Sequence, residues 1–221
     1  MILNIETATK NCSVSISNQG KTIALKELND GNYSHAEKLH ELIGQVVLEA
    51  KIELAHLKAI AVSKGPGSYT GLRIGVSAAK GLCFALDIPL ISVNTLQSLA
   101  LSVPVDKGYK IPLLDARRME VYSQVFSEKT EKIRDVYAEI IDSDSFTEFL
   151  NAEKVYFFGD GAEKCKEIIT HKNAIFIDGK FPSANEMSVL SYEKYRNNEF
   201  EDVAYFEPFY LKEFLAAIPK K

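Results

Sequence analysis

The sequence predicts an α/β protein built from two lobes of similar plan. Each half of the chain opens with three strand-like runs in succession. Each half then continues with helix-like segments that alternate with further strand-like runs. In both halves the first strand ends in an acidic residue, Glu6 in one and Asp115 in the other. We therefore expect an internal duplication, with residues 1–103 forming an N-terminal lobe and residues 104–221 a C-terminal lobe.

The first half shows the three opening strands most clearly. Met1–Glu6 is apolar and ends in an acid, as expected of a buried strand. Cys12–Ser17 alternates apolar residues with serines, which is the period-two pattern of a half-buried strand. Asn18-Gln19-Gly20 has turn-forming residues, and Thr22–Leu28 is predicted as the third strand.

Two long helices are predicted next, one on each side of a strand at Leu57–Ser63. Ser34 and Glu37 form a capping-box pattern at the start of a helix over residues 34–50, which carries one apolar stripe. The segment Gly71–Leu86 is apolar almost all round and contains glycine and alanine at four-residue spacing. Such a helix is either a central core helix, or core on one side and a subunit interface on the other.

The interface alternative predicts a partner-binding surface on these two helices. Small residues let a second helix approach closely, and the segment Gly71–Leu86 has more apolar surface than one core requires. The residues expected at this surface are Leu39, Ile43, Gly71, Arg73, Ile74, Gly75, Ala78, Ala79 and Leu82.

The second half repeats the order of the first. Its predicted strands are Ile111–Leu114, Val121–Phe126, Ile133–Ile141, Val155–Phe158 and Ala174–Ile177. Its predicted helices are Ser145–Leu150, the segment from Gly159-Asp160-Gly161 through Thr170, and a helix from the capping box at Ser183 to about Arg196. Three strands followed by alternating helices and strands, given twice, is the plan of the duplicated actin-like, ribonuclease H-like ATPase fold. We predict that fold, with a mixed sheet and helices in each lobe.

Composition limits the classes of function. The 221 residues are 46% hydrophobic and 25% charged, with a net charge of −4, so a chain that clamps nucleic acid alone is not expected. The three cysteines, Cys12, Cys83 and Cys165, have neither zinc nor disulfide spacing. No basic-then-apolar leader opens the sequence, and no apolar run approaches a membrane span, so we expect a cytoplasmic protein.

The most specific motif is the glycine-rich loop before the second long helix. The string Gly65–Gly75 fits neither the dinucleotide-binding fingerprint nor the P-loop. It resembles the signature of the bacterial TsaB (YeaZ) family, and the resemblance extends over nearly the whole chain. Its core is the signature loop Gly65, Pro66, Gly67, Ser68, Tyr69 and Thr70. Supporting matches are residues 2–9, 115–118, 120–122, 159–162 and 208–212.

The resemblance implies a non-catalytic scaffold subunit with the same ATPase-type fold. Such a subunit would bind the related catalytic protein TsaD and help to recruit the ATPase TsaE. It would meet tRNA only through that complex, which places threonylcarbamoyl on a tRNA adenosine. In the absence of the partner, the same helices could pair with themselves and form a homodimer.

The nucleotide site of the superfamily is expected to be vestigial in this chain. Its remains would be Glu6 and Thr7 at the first phosphate hairpin, with Gly159, Asp160 and Gly161 either as the adenosine loop or as a simple helix-entry turn. Phosphate hairpins need glycines so that backbone N–H groups can surround the phosphate, and residues 7–11 and 116–119 contain none. No cofactor is therefore required, although weak ATP or ADP binding is still open.

No catalytic or metal-binding set emerges from the remaining residues. His35 and His40 are five residues apart, so they do not share a helix face, and His56 and His171 are isolated. Ser68 has no nucleophile elbow around it. Two other classes remain as alternatives: an ATP-dependent, kinase-like enzyme and a metallopeptidase of the glycoprotease type.

Overall fold

A computed structural model describes residues 1–31 and 34–212. The first sheet has the strand order β3-β2-β1-β4-β5, in which β2 runs antiparallel to its neighbours and β4 and β5 run parallel to β1. The strands are β1 (Ile2–Glu6), β2 (Cys12–Asn18), β3 (Lys21–Leu28), β4 (Ala59–Gly65) and β5 (Leu90–Asn94).

The second sheet repeats this plan. Its order is β10-β9-β6-β7-β8, with β7 antiparallel to β6 and β8, and with β9 and β10 parallel to β6. The strands are β6 (Tyr109–Asp115), β7 (Glu120–Phe126), β8 (Lys132–Ile140), β9 (Val155–Phe158) and β10 (Ala174–Ile177). The predicted fold class, two mixed α/β lobes of duplicated ATPase type, is confirmed.

Five helices connect and cover these strands in the described part of the chain. They are α1 (His35–Glu49), α2 (Tyr69–Leu86), α3 (Thr95–Leu101), α4 (Thr147–Ala152) and α5 (Ala184–Arg196), with short 3₁₀ turns at Leu54–His56 and Glu163–Cys165. Helix α3 was not predicted from the sequence; its N-cap Asn94 accepts a hydrogen bond from the backbone N–H of Gln97.

Two helix predictions need correction. The segment after Gly161 is not a helix through Thr170, because its backbone hydrogen bonds are mostly between residues three apart, as in Lys166 N to Glu163 O. Ser34 does not cap α1 with its side chain. Its φ and ψ of −92° and 17° lie outside the extended conformation that a side-chain cap requires.

The first sheet is covered on both faces by helices of different origin. The side chains of Leu3 and Ile5 point toward α1 and α2, while that of Ile2 packs with Ala184 and Met187 of α5. Helix α5 follows the second sheet in sequence and nevertheless covers the first. Conversely, Leu96 and Leu99 of α3 pack with residues of the second sheet. The strands of the first sheet end before residue 103 and those of the second begin after it, whereas α3 and α5 each pack on the sheet of the other half. The lobe boundary at 103/104 stays a prediction.

A buried asparagine attaches α5 to the first sheet. The side-chain amide of Asn4 donates to Ser15 Oγ at 3.1 Å and Ser17 Oγ at 3.2 Å, and its carbonyl oxygen accepts from Ser191 Oγ at 2.6 Å. All four side chains are fully or almost fully buried. Because buried polar groups are costly when unpaired, this network fixes where α5 docks.

Replacing Asn4 with alanine should lower the free energy of unfolding by about 2–4 kcal/mol, since three buried hydroxyls lose a partner and a cavity remains. Urea unfolding followed by circular dichroism measures this. Asn185→Ala, at an exposed asparagine on α5 itself, is the control and should change stability by less than about 1 kcal/mol. An equal effect of the two substitutions would contradict the role of the network.

Candidate functional site

The signature loop packs directly on the β1–β2 hairpin. A Cβ at Gly71 would lie 2.1 Å from the carbonyl oxygen of Thr7, and one at Gly75 would lie 2.2 Å from Thr7 Oγ1. A Cβ at Gly67 would lie 2.5 Å from Ala8 O, which accepts a hydrogen bond from Ser68 N at 2.7 Å. These glycines therefore allow α2 to approach the hairpin closely. Atoms of the loop and of α2 lie directly against the hairpin's carbonyl oxygens.

The acid of the first hairpin is enclosed as well. Glu6 is fully buried, and its Oε1 accepts a hydrogen bond from Ala8 N at 2.7 Å. Burial raises the pKa of Glu6 to about 7, against the smaller opposing effect of its hydrogen bonds. His35, at the start of α1, closes the same hairpin through Nε2 to Thr9 O at 2.7 Å.

The second hairpin, between β6 and β7, holds a lysine ammonium. Lys164 Nζ donates to Asp115 Oδ1 at 2.5 Å and to the backbone carbonyls of Arg118 and Glu120 at 2.8 and 2.6 Å. A phosphate would need N–H groups in this position. The inner side of this hairpin instead presents oxygens to a cation.

The loop Gly159-Asp160-Gly161 is the second lobe's counterpart of the signature loop. It follows β9, which pairs with β6 as β4 pairs with β1. A Cβ at Gly159 would lie 2.2 Å from Leu113 O, so this loop also packs against the end of the first strand of its lobe. Asp160 Oδ1 accepts from Asp115 N at 3.1 Å, and burial raises its pKa to about 6. The hydrogen bonds of Glu6 and Thr7 stay in the first lobe and those of residues 159–161 in the second. The described contacts do not join them into one site.

Only some of the residues expected at the partner-binding surface are exposed. Five of its residues are buried, because they lie on the helix stripes that face the first sheet and the β1–β2 hairpin. They are Leu39, Ile43, Gly71, Gly75 and Ala79. The others, Arg73, Ile74, Ala78 and Leu82, are at least partly exposed and line a groove between α1 and α2.

This α1/α2 groove has a volume of about 560 Å³, and its remaining lining residues are Ala36, His40, Ser77 and Gly81. On the same two helices, the side chains of Leu48 in α1 and Phe84 in α2 are 79% and 87% exposed. At Gly44 and Gly81, a Cβ would meet no atom within 4 Å. The small residues therefore let another helix approach α1 and α2 closely. Large apolar side chains on the same two helices are unusually exposed.

The two histidines at five-residue spacing have separate surroundings. His35 is buried against the first hairpin, whereas His40 is exposed and lines the groove. Within residues 1–31 and 34–212, no cluster of three or more histidine, cysteine or acidic side chains is placed to hold a metal ion. Within the same residues, no helix is both long and apolar enough to cross a membrane.

The C-terminal segment of the described chain has a role that was not predicted from the sequence. Phe209 N donates to Lys64 O at 2.7 Å, and the ring of Tyr210 lies 4.8 Å from that of Tyr69 in the signature loop. Lys212 then forms an ion pair with Glu120 of the second lobe. The motif at residues 208–212 was a signal, but the strand and helix patterns contain no information about where such a segment docks.

Comparison of the sequence with known proteins gives a consistent family. A family model described as TsaD, tRNA N6-adenosine threonylcarbamoyltransferase, matches residues 31–220. The tRNA threonylcarbamoyladenosine biosynthesis protein TsaB of Haemophilus influenzae is 28% identical over 96% of this chain and 93% of its own length. That of Escherichia coli is 28% identical over 97% of this chain and 96% of its own length.

Solved structures of similar proteins have the same fold. A Pseudomonas aeruginosa protein described as similar to the peptidase YeaZ superposes with a TM-score of 0.81 at 24% identity, covering 96% of this chain and 99% of the other. YeaZ from the same organism gives a TM-score of 0.78 at 23% identity, with 95% and 99% coverage.

The raised pKa of Glu6 predicts a pH-dependent stability. The folded protein holds the Glu6 proton up to about pH 7, whereas the unfolded chain releases it near pH 4.5. Because the folded state binds the extra proton between these two pKa values, the free energy of unfolding falls as the pH rises from about 4.5 to about 7, by up to about 3 kcal/mol in all, and the loss is complete above pH 7.

Glu6→Gln should remove most of this loss, so that the variant is more stable than the wild type at pH 8 and about equal to it at pH 5. Urea unfolding at both pH values tests this. Glu193→Gln, at an exposed position of α5, should leave the wild-type difference intact. A wild-type protein equally stable relative to Glu6→Gln at both pH values would show that Glu6 is ionised in the folded state.

Proposed function

The chain belongs to the TsaB (YeaZ) members of the TsaD-type family, and we propose that it is a non-catalytic scaffold subunit of their modification complex. The family acts in tRNA threonylcarbamoyladenosine biosynthesis. In the proposed role, the chain binds the catalytic paralogue TsaD and supports recruitment of the ATPase TsaE in the cytoplasm. It meets tRNA through that assembly, and its net charge of −4 agrees with a chain that does not hold RNA alone.

The closed hairpins support the non-catalytic role. In an ATPase of this fold, both hairpins must offer backbone N–H groups to phosphates. Here the first hairpin is covered by α2 through glycine contacts, and the second is filled by Lys164. The N–H of Ala8 already donates to Glu6, and a phosphate at the second hairpin would have to displace Lys164.

The single observation that carries the proposed assembly is the α1/α2 groove with its exposed apolar neighbours. Its occupant in this proposal is the catalytic paralogue, because the family model that matches this chain is the TsaD model. A related fold offers the corresponding two helices, so the helices of the two proteins can pack as a four-helix layer. A stable interface buries about 1,200–2,000 Å² in total, which two helices on each side can supply.

The same surface can pair with itself when TsaD is absent. A two-fold contact between copies requires a self-complementary patch, and the small residues Ala78 and Gly81 allow close approach from both sides. We propose a homodimer of this kind for the free chain. Binding of TsaD would then replace one copy, since both occupy the same helices.

A glutamate on the outer side of α2 should abolish both associations. In Gly81→Glu the new side chain projects into open space, so the monomer stays folded, but the interface would bury an unpaired charge. We expect the dissociation constant for TsaD to rise by at least about 100-fold. Pull-down with tagged TsaD and light scattering of the free chain measure the two effects.

The matched control is Val189→Glu, which introduces the same charge at an exposed apolar position of α5. It should leave association unchanged. If Gly81→Glu binds TsaD as the wild type does, the interface lies elsewhere. If Gly81→Glu unfolds at a much lower temperature than the control, the groove belongs to the core.

The purified chain should not turn over ATP. Phosphate release should equal the background of the buffer, because both hairpins are closed to phosphate. A coupled assay with the chain at micromolar concentration tests this. Steady ATP hydrolysis that co-elutes with the chain, and that is lost in a variant of Asp115 or Asp160, would favour the kinase-like alternative.

A further inference from the structure

The tip of the second hairpin displays two arginines from a backbone conformation that side chains rarely adopt. Arg117 and Arg118 have φ values of +72° and +51°, in the left-handed region that normally favours glycine or asparagine. Both residues are exposed. Consecutive residues in this region carry a conformational cost, and such costs concentrate at functional sites.

The hairpin that carries these arginines is braced from within. Arg117 N donates to Asp115 Oδ1 at 2.9 Å, and Ala116 N donates to Glu120 O at 3.0 Å. Lys164 joins both arms of the hairpin by its three hydrogen bonds. No ion pair within the described residues involves Arg117 or Arg118. A rigid support thus presents two guanidinium groups that the fold itself does not use.

A line of basic and aromatic side chains links the base of this hairpin to the first lobe. Lys212 pairs with Glu120 at the base of the hairpin, and two residues earlier Tyr210 lies against Tyr69. The guanidinium of Arg73 lies 5.3 Å from the centre of the Tyr69 ring. We call this line the basic ridge, and its members are Arg73, Tyr69, Tyr210, Lys212, Arg117 and Arg118.

The acids beside the basic ridge are largely neutralised. Asp115 is paired with Lys164, and Glu120 is paired with Lys212. Burial raises the pKa of Tyr210, and the negative charge of Glu207 adds a smaller effect in the same direction. Each of the two ion pairs sums to zero charge, so the positive charge of the basic ridge comes from Arg73, Arg117 and Arg118, on a chain whose net charge is −4.

We propose that the basic ridge binds the phosphate backbone of RNA. Arginine forks match phosphate oxygens in pairs, and aromatic rings beside cations are typical of surfaces that stack single-stranded bases. The inference rests on the proposed function: the tRNA held by the complex would cross this ridge, with phosphates at Arg117 and Arg118. It adds a direct contact of this subunit to a substrate that its partner modifies.

The test uses the complex of this chain with TsaD and a fluorescein-labelled RNA hairpin with a single-stranded loop. Fluorescence anisotropy gives the affinity between about 50 and 200 mM salt. Arg117→Ala combined with Arg118→Ala should weaken binding by at least about 10-fold at the lower salt. The slope of log K against log salt should become shallower by about 1.4, since each phosphate contact in single strands contributes about 0.7.

The matched control removes two exposed cations from the other side of the first lobe, Lys21→Ala with Arg196→Ala. It changes the net charge equally and should leave affinity and slope within about twofold. Equal losses in the two double variants would mean that only net charge matters, and would overturn the inference. So would RNA binding that is unchanged by loss of Arg117 and Arg118, or absent from the assembled complex.

Two further measurements separate other sources of phosphate and other partners. Titration with Mg-ATP shows whether the arginines bind a free nucleotide; loss of ATP binding with intact RNA binding would overturn the RNA assignment.

Gel filtration shows whether the complex forms. A wild-type chain that does not bind TsaD refutes the proposed function, whereas double variants that bind TsaD and keep full RNA affinity refute only this inference. Loss of TsaD binding on removing Arg117 and Arg118 would assign them to the protein interface.

Discussion

The close contact between the signature loop and the first hairpin is the constraint on which much of this structure depends. With three glycine positions between 2.1 and 2.5 Å from Thr7 or Ala8 atoms once a Cβ is added, no larger residue fits there without movement. This contact sets the position of α2 over the first sheet. It also packs α2 and the loop before it onto the hairpin at the end of β1. In the proposed function, one packing requirement therefore fixes the helix that would offer the partner surface and covers this hairpin.

The two lobes share a plan but close their hairpins by different physical means. In the first lobe the strand-end acid, Glu6, is buried and holds its proton up to about pH 7. In the second lobe the strand-end acid, Asp115, is exposed and pairs with Lys164, which also binds two hairpin carbonyls. The first solution makes the hairpin part of a core, and the second leaves it at the surface as a braced support. Correspondingly, Lys10 is the one exposed residue among residues 7–11 of the first hairpin, whereas Arg117 and Arg118 are both exposed in the second.

The sequence allowed the strands and the fold class to be predicted because period-two alternation and turn residues are local signals. Helix α3 was missed since Thr95–Leu101 is short and apolar on most sides, a pattern that does not distinguish helix from strand. The burial of Gly71, Gly75 and Ala79 could not be separated from interface use, because a helix that is apolar all round offers no polar side as a reference. The lysine in the second hairpin and the docking of residues 208–212 depend on contacts between distant parts of the chain, about which local periodicity contains no information.

Helices α3 and α5 each pack on the sheet of the other half of the chain, which limits how far the two lobes can move apart. Sugar-kinase-like enzymes close two lobes around a substrate, which requires that the lobes move apart at low cost. Here α3 packs on the second sheet, α5 packs on the first, and Lys212 pairs with Glu120 across them. Opening the lobes would expose apolar side chains of both helices or strain the links that carry them. In the proposed function, these contacts would keep the α1/α2 groove and the basic ridge in one fixed relation. A subunit that must present a partner surface and a nucleic-acid contact together benefits from that rigidity.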